Sequence, residues 1–188
     1  MLNQIRPAIV LTVLLSAVTG LAYPLAITAA AQVAFPGQAN GSRIERDGVT
    51  VGSELIGQNF AEPKYFWPRP SATGPEPYNA GASTGSNIGP TGKALVERVA
   101  ASVEAMGGGP VPGDAVTTSG SGLDPHISPQ FAATQIARVA QARGVEPATI
   151  AKLVADVTEG PALGIFGEMR VNVLRLNLAL DAAAPLGN

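Results

Sequence analysis

Residues 7–35 read PAIVLTVLLSAVTGLAYPLAITAAAQVAF, and no charged side chain occurs from Pro7 to Ser42. A hydrocarbon core about 30 Å thick is crossed by roughly 20 apolar helical residues, so this stretch is long enough to span a bilayer as one helix, its last turns standing above the surface. Arg6 lies on the short side. By the positive-inside rule, this predicts a cytoplasmic N-terminus (1–6), a transmembrane helix (7–35) and an extracytoplasmic domain (36–188). The competing reading is a cleaved signal peptide, with Ala29-Ala30-Ala31 as the small-residue cleavage site. Signal cores usually run about 7 to 15 residues, and the longer run here favours a retained anchor.

Inside that helix, Thr12, Ser16, Thr19, Gly20 and Tyr23 recur at helical spacing and form one stripe of mostly small or hydroxylated side chains. Small residues let helix backbones approach and hydroxyls can bond across the contact, so the stripe is a candidate packing face toward another membrane helix.

Of the 188 residues, about 150 lie beyond the anchor, enough for one compact domain with a core. The net charge is −2 and the basic residues are scattered, which argues against nucleic acid or an anionic membrane surface as partner. Cysteine is absent, so the domain is held by packing alone, and disulfide and zinc-thiolate chemistry are excluded. With 22 Gly and 16 Pro, long ordered loops are expected.

The expected class is α+β, with three to four helices and a few short strands. Asp47-Gly48 between β-prone residues predicts a hairpin over Ile44 to Val51. Leu55 to Tyr78 carries Pro63, Pro68, Pro70, Pro75 and Pro77, so it reads as ordered loop, with Phe60, Tyr65, Phe66 and Trp67 anchoring it to the core. Val96, Val99, Val103 and Met106 share one face of a helix over Gly92 to Met106, stopped by Gly107-Gly108-Gly109-Pro110. Ser128 and Pro129 cap and start a second helix that ends at Gly144, and Pro147 starts a third with Ile150, Leu153, Val154 and Val157 inward. Val171 to Leu180 alternates like a strand at first and is then built of helix formers; helix is the preferred assignment.

His126 is the only histidine, in Ser119-Gly120-Ser121-Gly122-Leu123-Asp124-Pro125-His126-Ile127-Ser128. A hydrolase triad is the tempting reading. Asp124 and His126 are separated only by proline, however, and no Gly-x-Ser-x-Gly elbow occurs, so a hydrogen-bonded histidine where a helix starts is preferred. Gly92-Lys93 is followed by Ala94 and preceded at the required place by Asn87, so the phosphate-binding loop pattern fails twice. A lone histidine without cysteines or clustered carboxylates argues against a transition-metal site. Two rivals thus stand beside a non-enzymatic reading: a membrane-anchored hydrolase using His126, and a periplasmic binding module using the aromatic loop.

From the anchor almost to the end, the chain resembles the C subunit of the Kdp potassium-transporting P-type ATPase. The matching strings are Gly52-Ser53-x-Leu55-Ile56-Gly57-Gln58-x-Phe60, Tyr65-Phe66, Arg69-Pro70-Ser71-Ala72, Tyr78-Asn79 and Ser83-Thr84-Gly85-Ser86-Asn87-Ile88-Gly89-Pro90. They continue with Ser119 to Pro129, Gln135, Arg138-Val139-Ala140, Arg143-Gly144, Val171-Asn172-Val173-Leu174 and Leu176-Asn177. Pro68 stands where the family usually has glycine, and Met169 where proline is common.

The resemblance implies a single-pass inner-membrane protein without catalytic residues or a cofactor of its own. Its partners would be the potassium-translocating and ATP-hydrolysing subunits of one uptake complex, for which ATP, Mg and potassium are expected. It also makes Arg69, Ser71, Tyr78, Asn79, Ser86, Asn87, Ser119, Ser121, Asp124, His126 and Ser128 candidate structural or contact positions. A chaperone-like role in raising ATP affinity has been proposed for this family. ATP is cytoplasmic and the domain is expected outside, so assembly, stabilisation or extracellular ion access is the preferred role.

Overall fold

The computed structural model describes residues 2–184 and falls into two compact units, Met1–Val51 and Gly52–Asn188. The first is dominated by helix α1 (Ile5–Ala34), none of whose most apolar window is buried within the protein. A π turn, Val18–Ala22, interrupts it. Its cause is local: the Pro24 ring would clash with the carbonyl of Gly20 four residues earlier, and a wider turn relieves the clash. The Thr19 hydroxyl donates back to the Leu15 carbonyl at 2.7 Å. After one further turn at Pro36–Ala39, β1 (Arg43–Arg46) and β2 (Val49–Ser53) form a hairpin. Asp47 and Gly48 both take positive φ, 52° and 76°, as the predicted turn requires.

The second unit has no helix or named strand from Glu54 to Asn79, since its prolines withhold ladder donors. Helix α2 (Lys93–Ala105) follows. Val99 and Val103 pack against the core, but Val96 is exposed and Met106 lies partly open, so the expected four-residue apolar face is half as wide.

The centre is built by α3 (Pro129–Arg143), α4 (Pro147–Val157) and α5 (Val173–Ala183). Ser128 caps α3 by accepting from the Phe131 amide at 3.0 Å, and Gly144 closes it in the left-handed region at φ 66°. Two-residue strands β3 (His126–Ile127) and β4 (Thr158–Glu159) flank β5 (Arg170–Asn172) in an antiparallel sheet ordered β3-β5-β4, with His126 opposite Asn172 and Thr158 opposite Val171. The ambiguous segment is therefore both things in turn. Asn172 ends the strand and its side chain accepts from the Arg175 amide at 3.1 Å, starting α5 with no loop between. Phe66, Ile127, Phe131, Val139, Ile150, Val171, Leu176 and Leu180 form the buried core. Each such side chain removed from water contributes roughly 1.5–3 kcal/mol.

Candidate functional site: a self-bonded loop cluster

The irregular segments around residues 69–79, 83–85 and 117–128 bond chiefly to one another. Arg69 forms an ion pair with Asp124 at 3.0 Å and donates to the carbonyl and hydroxyl of Thr117 at 3.3 and 3.4 Å. The Tyr78 hydroxyl donates to the Arg69 carbonyl at 2.8 Å. Ser71 donates to the Gly122 carbonyl at 2.7 Å while accepting from the Tyr78 amide at 3.0 Å. Thr73 joins the same node, accepting from the Asn79 amide at 3.0 Å, and the Asn79 side chain accepts from Gly81 at 3.0 Å.

The loop carrying the histidine is shaped by its own serines. Ser119 accepts from the Gly122 amide at 2.9 Å and Ser121 from the Leu123 amide at 3.1 Å. Gly122 has φ 69°, and a Cβ there would lie 2.7 Å from the Thr84 carbonyl oxygen. Gly57 is packed as closely: a Cβ would run into the Tyr78 ring and come within 2.7 Å of the Asp124 carbonyl oxygen. Neither position has room for a side chain.

Asp124 accepts from the His126 amide at 3.0 Å, and the His126 ring Nδ1 stands 3.5 Å from the same carboxylate. Burial pushes the Asp124 carboxyl up, but the His126 hydrogen bonds and the Arg69 guanidinium outweigh it and hold the group below its ordinary value. Burial drives the Tyr78 phenol up, Asp124 adding to the effect and Arg69 opposing it. Ser128 gives its hydroxyl to Asp114 at 2.9 Å and its amide to the same carboxylate at 2.6 Å. The hydroxyls of Ser119, Ser121 and Ser128 are thus occupied elsewhere, and none is paired with His126 as a nucleophile with its base.

A cleft of about 1000 Å³ beside this cluster is lined by Arg69, Asp114, Asp124, His126, Gln130 and Glu168 among others. Among the described residues no group of three or more His, Asp or Glu side chains is placed to hold a metal ion. Ser86 and Asn87 make none of the cluster's bonds; Asn87 sits in the left-handed region at φ 50°.

A second network holds the aromatic segment, and sequence reasoning assigned it no role. The Asn177 amide accepts from the Phe66 N–H at 2.8 Å and donates to the Phe66 carbonyl at 3.0 Å. Gln135 does the same for Trp67, at 2.8 and 3.1 Å. Two helix side chains thereby replace the sheet neighbour that this backbone lacks. Arg138 stacks 3.6 Å over the Trp67 ring and donates to the Pro63 and Tyr65 carbonyls, while Arg143 donates to Lys64 and Ala184 and pairs with Asp181 at 2.8 Å. The available signal was a polar side chain on a core-facing helix surface: Gln135 falls four residues after Phe131, and Asn177 beside Leu176, where an unpaired amide would be costly. Phe66 is buried and Tyr65 bonds Asp181 at 3.2 Å, so these aromatics do anchor the loop. Phe60 and Trp67 line a hollow of about 470 Å³.

A family model described as "KdpC: K+-transporting ATPase, c chain" matches residues 5–182. The chain is 56% identical over 190 residues to a potassium-transporting ATPase KdpC subunit of Dechloromonas aromatica (strain RCB), covering 98% of this chain and 100% of that one. It is 57% identical over 189 residues to the KdpC subunit of Sorangium cellulosum (strain So ce56), covering 97% and 100%. With that of Variovorax paradoxus (strain S110) the identity is 58% over 188 residues, covering 97% of each.

Proposed function

This chain belongs to the KdpC family of K+-transporting ATPase c chains, and from that premise we propose that it assembles and stabilises the potassium-uptake complex without taking part in the chemistry. ATP hydrolysis and potassium translocation fall to other chains, which would hold the ATP, Mg and potassium. In this reading the N-terminus is cytoplasmic, α1 is retained as the anchor and residues 36–188 work outside the membrane. The observation that carries it is the inward bonding of the family motif: Arg69 is bound to Asp124 and Thr117, Ser71 to Gly122, and Ser128 to Asp114. Such a cluster holds a shape and leaves no nucleophile beside a base. Any influence on ATP affinity would reach the ATPase subunit as a coupling free energy transmitted through the membrane subunits.

The stripe Thr12, Ser16, Thr19, Gly20 and Tyr23 is proposed as the face of α1 toward a partner helix. Gly20 leaves the backbone bare there, with nothing within 4 Å of an added Cβ. The Thr19 hydroxyl is already bonded to its own helix, so close backbone approach supplies the attraction. The test is co-purification of the tagged full chain, co-expressed with the complex, in mild detergent. Wild type is expected to bring multispanning partners with it, and Gly20→Leu to lose them more readily than Leu14→Ala. Recovery of the wild-type chain alone would overturn the subunit role, and equal retention by both variants would overturn the stripe. Orientation is checked in intact cells with an impermeant thiol reagent, which should label a cysteine at Ser42 and spare one at Asn3.

A further inference from the structure

Between β4 and β5 the chain makes a ten-residue excursion, Gly160-Pro161-Ala162-Leu163-Gly164-Ile165-Phe166-Gly167-Glu168-Met169. It is closed by its own backbone: the Ala162 amide donates to the Phe166 carbonyl at 2.8 Å and the Phe166 amide to the Ala162 carbonyl at 2.9 Å. The side chains do the opposite of what apolar groups do in a domain of this size. Leu163, Ile165, Phe166 and Met169 are 88, 77, 65 and 57% exposed. Leu163, moreover, is held at φ 54°, a conformation that bulky side chains rarely adopt. A tight, self-bonded turn presenting three large apolar groups is a preorganised contact, since a backbone already fixed in shape loses little freedom on binding.

We propose that the tip of this hairpin, Leu163, Ile165 and Phe166, seats in an apolar groove on another subunit of the same ATPase, a contact that rests on the subunit role proposed above. Size and charge select that occupant. The four exposed side chains offer on the order of 600 Å², against roughly 800 Å² per partner in a standard interface, so the tip alone is too small to hold two copies of this chain together. It suffices as a second contact for a chain whose membrane helix already confines it beside its partners, since tethering supplies a high effective concentration. Anionic lipid is disfavoured by the charges at the hairpin's root. Glu168 is exposed, and Arg170 and Arg175 are both paired with Glu159, each at 3.1 Å, so among the described residues the hairpin's root offers lipid headgroups no unpaired cation. A groove with a basic rim to meet Glu168 is the complementary surface.

The experiment places a photo-crosslinking phenylalanine analogue at Ile165 in the full chain, co-expressed with the complex, and identifies adducts by mass spectrometry after purification. The expected result is a covalent adduct with another subunit of the ATPase. An adduct with lipid or with a second copy, or no adduct in an assembled complex, overturns the proposal. In parallel, Ile165→Ser with Phe166→Ser should lower partner retention several-fold after detergent washing without changing the chain's own melting curve; undiminished retention also overturns it. If the wild-type chain fails to co-purify, the subunit role itself is lost. If wild type co-purifies and the tip makes no adduct, only the docking contact is lost.

Discussion

The segment from Glu62 to Asn79 and the hairpin from Gly160 to Met169 are both connections poor in regular structure, and they are ordered in opposite ways. The first is bonded by others: Asn177 and Gln135 pair with its backbone, Arg138 and Arg143 hold its carbonyls, and Phe66 is buried at its centre. The second is bonded largely to itself and turns its apolar side chains outward. An irregular segment supplied with side-chain partners becomes part of the core, because every buried amide and carbonyl is satisfied. A hairpin that closes its own bonds needs nothing from the core, so its side chains are free to serve a contact elsewhere. Sequence composition hints at a difference without explaining it: the first segment carries Pro63, Pro68, Pro70, Pro75 and Pro77 with Gly74 alone, the second Gly160, Gly164 and Gly167 with Pro161 alone, and both carry large apolar side chains.

Breaking the first kind of order should have the largest effect. Asn177→Ala leaves the N–H and carbonyl of Phe66 without their partners, at about 1–3 kcal/mol for each buried group left unsatisfied. A loss of about 3 kcal/mol is expected in urea denaturation of the detergent-solubilised chain. A loss under about 0.5 kcal/mol, the range of ordinary surface substitutions, would mean that the loop is held by its aromatics alone.

A smaller effect is expected from acid. The folded-state pKa of Asp124 lies below its unfolded value, so its interactions stabilise the fold fully above the unfolded carboxylate value of about 3.9 and are lost as pH falls through the folded one. Asp124→Asn should therefore lower the melting temperature at neutral pH, and the gap to wild type should close as pH drops below about 4. A gap that stays constant with pH would show that the Arg69–Asp124 pair contributes nothing through its charge.

The smallest effect belongs to the hairpin tip. Leu163→Gly removes a side chain from a left-handed backbone position and should leave stability unchanged or raise it by about 0.5 kcal/mol. Destabilisation by more than about 1 kcal/mol, a typical figure for a structural position, would place the tip among the elements that hold the fold and erase the contrast between the two segments.

Much of the scaffold could be read before the structure. Ser128, Pro129 and Gly144 marked both ends of α3, Pro147 marked the start of α4, and Asp47-Gly48 marked the first hairpin, because caps and tight turns are set by local sterics. The elements that depend on distant partners were not legible. Strands β3 and β4 are two residues long and exist only by pairing with β5. The passage from β5 into α5 was blurred because Val171 and Val173 fit a strand while the leucines after them fit a helix. Within the candidate site, the motif residues were visible as a group, but the bond of Arg69 to Asp124, 55 residues away, was not. Val96 was misjudged because helical spacing cannot say how wide a face the rest of the fold will cover.

The clamp on Phe66 also sets a clock. Its partner Asn177 lies 111 residues further along the chain, and the matching grip on Trp67 comes from Gln135, 68 residues on. At a synthesis rate of about 5–20 residues per second, the aromatic segment emerges roughly ten seconds before the last of its partners exists. Through that interval α3 and α4 can form from near neighbours and bring Gln135 and Arg138 to Trp67, whereas Phe66 still lacks Asn177 and Tyr65 lacks Asp181. The segment can be completed only at the end although it is made early, so a chain truncated before Asn177 would leave Phe66 without its clamp and be open to proteolysis at that point.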